Sequence, residues 1–198
     1  RPMTGYKNHF EGHGEFCVSS TYMDDPFDSA SFGLGRLFDK GLKPGMESSH
    51  FYRGVNNVFD TNGYYIGSDS ISGISGDWVR IDFPYRAKIQ SMNILTRSDE
   101  YSGRAPRDGY LLGKNGDEDE WTIIYEWTEA LYYQFIERIF SIEASKYYSS
   151  YAMVATRLLS AAESGTGSTN VSRLNMSEWR LFGTREQGQS VLHDGQLT

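Results

Sequence analysis

In the run Asp77–Phe83, DWVRIDF, the apolar Val79, Ile81 and Phe83 alternate with Trp78, Arg80 and Asp82. A period of two sends successive side chains to opposite faces, so this run is a strand with one apolar face, whereas a helix would scatter the same residues around its axis. Period-2 or short apolar runs recur: AKIQSMNILTRS, DGYLLGKN, EWTIIYEW, FIERIFSI, SYAMVATRLLS and SEWRLFG, set among Gly, Asn, Asp and Ser. Many short strands joined by turns leave a β architecture as the outcome. Fourteen Tyr, eleven Phe and four Trp agree with this, because planar side chains suit a pleated surface.

The connections are legible too. Asn115-Gly116 lies between two strand-like runs and accepts the positive φ of a tight reversal, so the acidic cluster Asp117–Glu120 reads as a solvated hairpin tip. It lacks the spacing of an EF-hand loop. The stretch WTEALYYQFIERIFSI reads as a loop followed by a strand, and SAAESGTGSTNVSR as an exposed loop. Residues 29–76 form a long, turn-rich span, and long loops inside a compact domain are usually functional or flexible. One domain is expected over 10–186, with an N-terminal extension at 1–9 and a linker at 187–198 leading to a further region.

Charge and composition remove several functions. A net charge of −7 with no Lys/Arg block opposes a phosphate backbone, so nucleic acid is not an expected partner. No apolar run approaches the roughly 18 residues of a membrane span. The single cysteine, Cys17, cannot form an internal disulfide and reads as a small buried hydrophobe. Four scattered His residues offer no zinc spacing, and no nucleophile, base and orienter come together in the sequence, so no catalysis is expected. Two triplets, NVS at Asn170 and NMS at Asn175, match a glycan acceptor.

Taken in order, VSS (18–20), LFDKG (37–41), GMESS (45–49), GDWVRIDFP (76–84), KIQSMNILTRS (88–98), RAPRDGYLLGKNGDEDEWTII (104–124) and MSEWRLFG (176–183) resemble the discoidin domain, or coagulation factor 5/8 type C domain, of the galactose-binding-like superfamily. The start, RPMTGY followed by GHGEFCVSSTY, and the tail VLHDGQLT look like versions found in structural proteins of large algal and protist viruses. The resemblance implies an eight-stranded antiparallel jelly-roll β-sandwich. Met46, Lys40 and Gly41 depart from the usual residues, and the paired cysteines of the clotting-factor versions are absent, so a lipid-binding role is not inherited.

The resemblance further implies one structural Ca²⁺, held by Asp39 and Glu178 with oxygens from Phe38, Gly41, Gly45 and Ser48. A calcium ion takes six to eight oxygens at about 2.3–2.6 Å. Sugars in such domains meet loops at one end of the sandwich, where an aromatic face receives C–H groups and polar side chains take hydroxyls. The matching segments offer His50, Tyr52, Arg53 and Asn56, and Arg97, Asp99, Tyr101 and Arg104; Trp127 and Tyr132 are candidates for a rim. The expected function is a non-catalytic carbohydrate-binding or attachment module, of a larger extracellular or virion-surface protein, meeting a cell-surface glycan or glycoprotein, with homo-oligomers through the parent protein. Its rivals are a structural or protein-interaction domain of a virus particle with no sugar ligand, and an accessory domain of a glycoside hydrolase.

Overall fold

The computed structural model describes residues 3–23, 33–38, 52–97, 102–130, 137–164 and 172–186. Among the described residues twelve strands follow one another: β1 (Lys7–Phe10), β2 (Gly14–Ser20), β3 (Tyr52–Arg53), β4 (Ser70–Ile71), β5 (Ile74–Ser75), β6 (Asp77–Leu95), β7 (Pro106–Lys114), β8 (Thr122–Trp127), β9 (Glu137–Ser141), β10 (Tyr148–Leu158), β11 (Asn175–Met176) and β12 (Glu178–Arg185). Helix is limited to single turns at Leu34–Leu37, Ser102–Arg104 and Ala161–Ser164 among the described residues.

Eight of the strands are antiparallel neighbours in the order β1-β2-β6-β10-β7-β8, with β12 and β9 also paired to β6. The 19-residue β6 explains how these strands make two layers. Its first part pairs with β2 and β10, from Val79↔Ser20 and Asp77↔Ala155 to Asp82↔Cys17. Its second part pairs with β12 and β9, ending at Leu95↔Glu178 and Leu95↔Glu137. The runs DWVRIDFP and AKIQSMNILTRS, separate in the sequence reading, are therefore one strand that turns a corner. Pro84 sits at that corner, where a residue without an N–H costs no ladder bond because the register with β10 slips between Asp82 and Ala87. Gly14 makes the corner possible: at φ +90, a Cβ there would stand 2.6 Å from Pro84 Cβ.

The alternation read from the sequence sorts the faces. Val79 and Ile81 are buried while Trp78, Arg80 and Asp82 are half-buried. Between the layers, Val79, Leu111, Tyr151 and Met153 from one side join Met92, Ile94, Phe140 and Trp179 from the other. Trp127 of β8 meets Phe140 of β9 across the gap, ring centroids 5.4 Å apart. A second, smaller apolar layer covers the outer face of the β6–β10–β7 sheet. There Leu112, Ala152 and Val154 lie under Ile71 and Ile74 of the β4–β5 hairpin and under Trp78, Tyr110 and Trp121. This is why β10 reads as a continuous apolar run: it is covered on both sides.

Gly54 brings the two ends of β6 to the same end of the sandwich. Its N–H donates to the Leu174 carbonyl at 2.9 Å, just before β11 and β12. On its other side, a Cβ would collide with the Asp77 carboxylate, at the start of β6. The sequence segments around residues 54, 77, 97, 104 and 175 thus converge at one end, to which the resemblance assigned the sugar-binding loops.

Candidate functional site

The centre of this end is polar and closed. β3 pairs with β11 through Arg53↔Asn175 and Tyr52↔Met176. With its amide turned so that both groups are satisfied, the Asn175 oxygen accepts Arg97 Nη1 at 3.1 Å and Arg104 Nη1 at 3.2 Å, while its nitrogen donates to the Leu174 carbonyl at 2.7 Å. Asn175, Arg97 and Arg104 are all buried. Two guanidiniums from the two ends of the β6–β7 connection are tied to one strand, which fixes both ends of that connection relative to β11. The sequon at Asn175 therefore sits on an interior amide and offers no glycan acceptor in the folded chain; Asn170 lies outside the described residues.

Glu178, the first residue of β12, is 1% exposed. Such a carboxylate needs compensation, and Arg180 Nε supplies part of it at 3.3 Å from Oε2. Arg180 Nη1 also reaches Glu137 Oε1 at 3.3 Å, and Asn93 Nδ2 donates to the same oxygen at 2.9 Å. Phe38 lies close by, its ring 5.9 Å from that of Trp179, and with Glu178 it lines one cleft of about 570 Å³ between the edges of the two layers. The Phe38 carbonyl accepts the Met3 N–H at 3.2 Å. Of the expected calcium ligands, Phe38 and Glu178 are thus brought together, each with a protein partner already in place. Asp39, Gly41, Gly45 and Ser48 lie outside the described residues. Among the described residues no three His, Cys, Asp or Glu side chains gather as a metal-binding group.

Beside the closed centre lies an open surface built by the turn between Asp60 and Tyr64. Asp60 Oδ1 accepts the N–H groups of Asn62 at 2.9 Å and Tyr64 at 2.8 Å, and the Asp60 N–H donates to the Tyr64 carbonyl at 2.9 Å. Gly63 takes φ +83 against the Leu158 backbone, where a Cβ would collide. The turn is short and fully hydrogen-bonded, and it presents the Tyr64 ring, 52% exposed.

One side of that ring is covered by Arg157, whose Cζ is 4.5 Å from the centroid. Arg157 is held in turn by the Asn62 carbonyl at 3.1 Å and by Glu163 at 3.3 Å. Burial alone would raise the Glu163 carboxyl, but the Ser160 N–H and hydroxyl, with Arg157 and Arg107, hold it below the usual carboxylate range. Asn56 is exposed nearby and accepts the Ser172 hydroxyl at 3.2 Å.

The predicted ligand residues divide accordingly. Arg53 is half-buried and Asn56 exposed. Tyr52 is 1% exposed, so its ring packs in the core and has no face to offer a ligand; Arg97 and Arg104 have their heads turned inward to Asn175. Trp127, expected near a rim, is buried because its Nε1 donates to the Pro106 carbonyl at 3.0 Å and its ring meets Phe140. His50, Asp99, Tyr101 and Tyr132 lie outside the described residues. As a pair, Tyr64 and Tyr65 have in sequence the look of packing and loop anchors. Tyr65 fills that role, stacked edge-on to Phe59 at 5.3 Å, and the Asp-x-Asn-Gly turn before Tyr64 is the signal that separates the two.

Comparison with known proteins reaches the fold and stops there. No protein-family model matches the chain, and no curated protein matches it in sequence. Solved structures do. A chitosan-binding module from a Paenibacillus sp. IK-5 chitosanase/glucanase superposes with a TM-score of 0.52 at 10% identity, covering 84% of this chain and 93% of the other. A Clostridium perfringens module in complex with GalNAc-β-1,3-galactose gives 0.52 at 11% identity over 85% and 95%. The family 32 carbohydrate-binding module of Streptococcus pneumoniae EndoD gives 0.50 at 8% over 84% and 96%. The chain is thus similar to galactose-binding-like, discoidin-type sandwiches, the architecture that its strand order builds.

Proposed function

We propose that the chain is a non-catalytic carbohydrate-binding module, the attachment part of a larger extracellular or virion-surface protein, which meets a cell-surface glycan or glycoprotein at the loop end. The observation that carries this reading is the Tyr64 ring, displayed on a rigid turn with Arg157 behind one face and solvent over half of its surface. A sugar lays its apolar C–H patch on such a ring, and the exposed Asn62 and Asn56, with the half-buried Arg53, supply hydroxyl partners of fixed direction. His50, Asp99 and Tyr101 belong to the same reading through the resemblance, while Arg97 and Arg104 act as supports through Asn175. The Clostridium perfringens module of the same fold, in complex with GalNAc-β-1,3-galactose, adds to it.

A turn that is ordered before the ligand arrives spares part of the entropic cost of binding. A shallow, polar ligand still gives weak affinity per site, so several copies in a homo-oligomer of the parent protein would raise avidity. Calcium is the second element: Glu178 and the Phe38 carbonyl, with Asp39, Gly41, Gly45 and Ser48, would hold one ion that fixes the loop structurally. If it binds, EDTA lowers the melting temperature, and calcium at about a hundredfold over its Kd restores about 2.7 kcal/mol.

A glycan array run with the wild-type chain and with Tyr64→Ala tests the sugar site. Binding by the wild type and its loss in a variant that melts normally support the module. A silent array with a stable fold overturns it and favours the structural, protein-contacting role in a virus particle. The exposed Ile139 and Phe182 on the outer face of the β9–β6–β12 layer speak for that second role.

A further inference from the structure

Asp77 stands where four segments meet, and it is 1% exposed. The Thr21 hydroxyl, at the end of β2, donates to its Oδ1. Its Oδ2 packs on Gly54, where no side chain fits, and has no hydrogen-bond partner. Tyr52 of β3 faces it, with its own hydroxyl proton held by burial first and then by the nearby Asp77. From the segment before β4, Asp69 adds a second carboxylate; it contacts the Tyr65 hydroxyl at 3.3 Å, and Tyr65, pushed up to about 12 by burial, stays neutral. Among the described residues, every titratable group that acts on Asp77 is thus acidic or a tyrosine, and no arginine, lysine or histidine contributes to its charge balance.

An ionised carboxylate in this place would be a buried anion with one hydroxyl and one backbone N–H for compensation, next to a second anion. Water or a cation would have to enter, and Gly54 is the backbone packed directly on this carboxylate. That glycine joins β3 to Leu174 and leads into the segment that carries Asn56 and the Tyr64 turn. We propose that Asp77 is a proton-held latch: its neutral carboxyl keeps β2, β3 and the start of β6 joined, and loss of that proton to solvent loosens the segment from Gly54 to Tyr65.

The sign follows from linkage. Burial first, then Asp69, push the Asp77 carboxyl up from 3.8 to about 7, although the Thr21 hydroxyl and the Trp78 N–H pull the other way. The folded chain keeps a proton that the unfolded chain has released, so this contribution to stability is complete below about pH 4, falls as pH rises, and is gone just above the folded value near 7.

Urea unfolding of the wild type and of Asp77→Asn at pH values between about 5 and 8 tests the latch. The wild type should lose stability relative to the variant by up to about tenfold in the folding constant per pH unit between 5 and 7, and then level off. Equal pH slopes in the two proteins overturn the proposal. If Asp77→Asn does not fold, carbon NMR of the wild-type Asp77 carboxyl replaces it: a midpoint near 7 supports the latch and one near 4 sinks it. Amide exchange should quicken in residues 54–65 before the rest of the sheet as pH passes 7, after correction for intrinsic exchange; uniform exchange would show that the charge does not act there. None of these readings depends on a sugar, so the latch stands or falls apart from the proposed ligand.

Discussion

Glu178 and Asp77 are both 1% exposed and lie at the same end of one sandwich, yet they are accommodated by opposite means. Glu178 keeps a guanidinium beside it and joins a chain of charged hydrogen bonds through Arg180, Glu137 and Asn93. Asp77 has a threonine hydroxyl, a tyrosine and a glycine around it and, among the described residues, no cation. The half of this end built from β11, β12 and the end of β6 is wired by charge and should be indifferent to mild alkali. The half built from β2, β3 and the start of β6 is wired by neutral groups and should depend on a proton.

The strongest way to break this contrast is Asn175→Ala, which removes one acceptor that Arg97 and Arg104 share. A loss of about 3 kcal/mol in urea unfolding is expected; a loss under about 1 kcal/mol would show that the charged half does not rest on this amide. Arg180→Ala should cost less, about 1–3 kcal/mol, since the side chain is one-third exposed and part of its effect is screened. Arg180→Lys should recover only a fraction of that, because an ammonium cannot span Glu178 and Glu137 with the same fork.

Asp69→Asn sharpens the other half. It removes the carboxylate that helps to push Asp77 up, so stability at neutral pH should rise by about 0.5 kcal/mol and the pH at which it declines should move down. An unchanged profile would leave desolvation as the whole cause. The smallest effect on stability belongs to Tyr64→Ala, within about 0.5 kcal/mol for an exposed ring. A larger loss in a thermal melt would make Tyr64 part of the frame and weaken its standing as a free platform.

The architecture was open to sequence reading because alternation carries it: Val79 and Ile81 face inward, and the Asn115-Gly116 reversal joins β7 to β8. The corner was not, because Pro84 reads as a strand end, and only the change of partners from β2 and β10 to β12 and β9 shows that the chain continues through it. The convergence of the expected binding segments at one end was legible, but not the exposure of their side chains. Arg97 and Arg104 look like loop arginines for a ligand, and what turns them inward is Asn175, some 70 residues later in a triplet that reads as a glycan acceptor. Tyr64 and Tyr65 are identical letters; a φ of +83 at Gly63 and the Asp60 side chain decide which one faces water.

The shared strand has a mechanical consequence. Because β6 belongs to both layers, neither can peel away and leave the other whole: freeing β9 and β12 strips one half of a continuous backbone whose other half anchors β2 and β10. Denaturation should therefore be all-or-none, with tryptophan fluorescence and backbone circular dichroism tracing the same curve. A cut at the Pro84 corner should yield two fragments that cohere only when mixed.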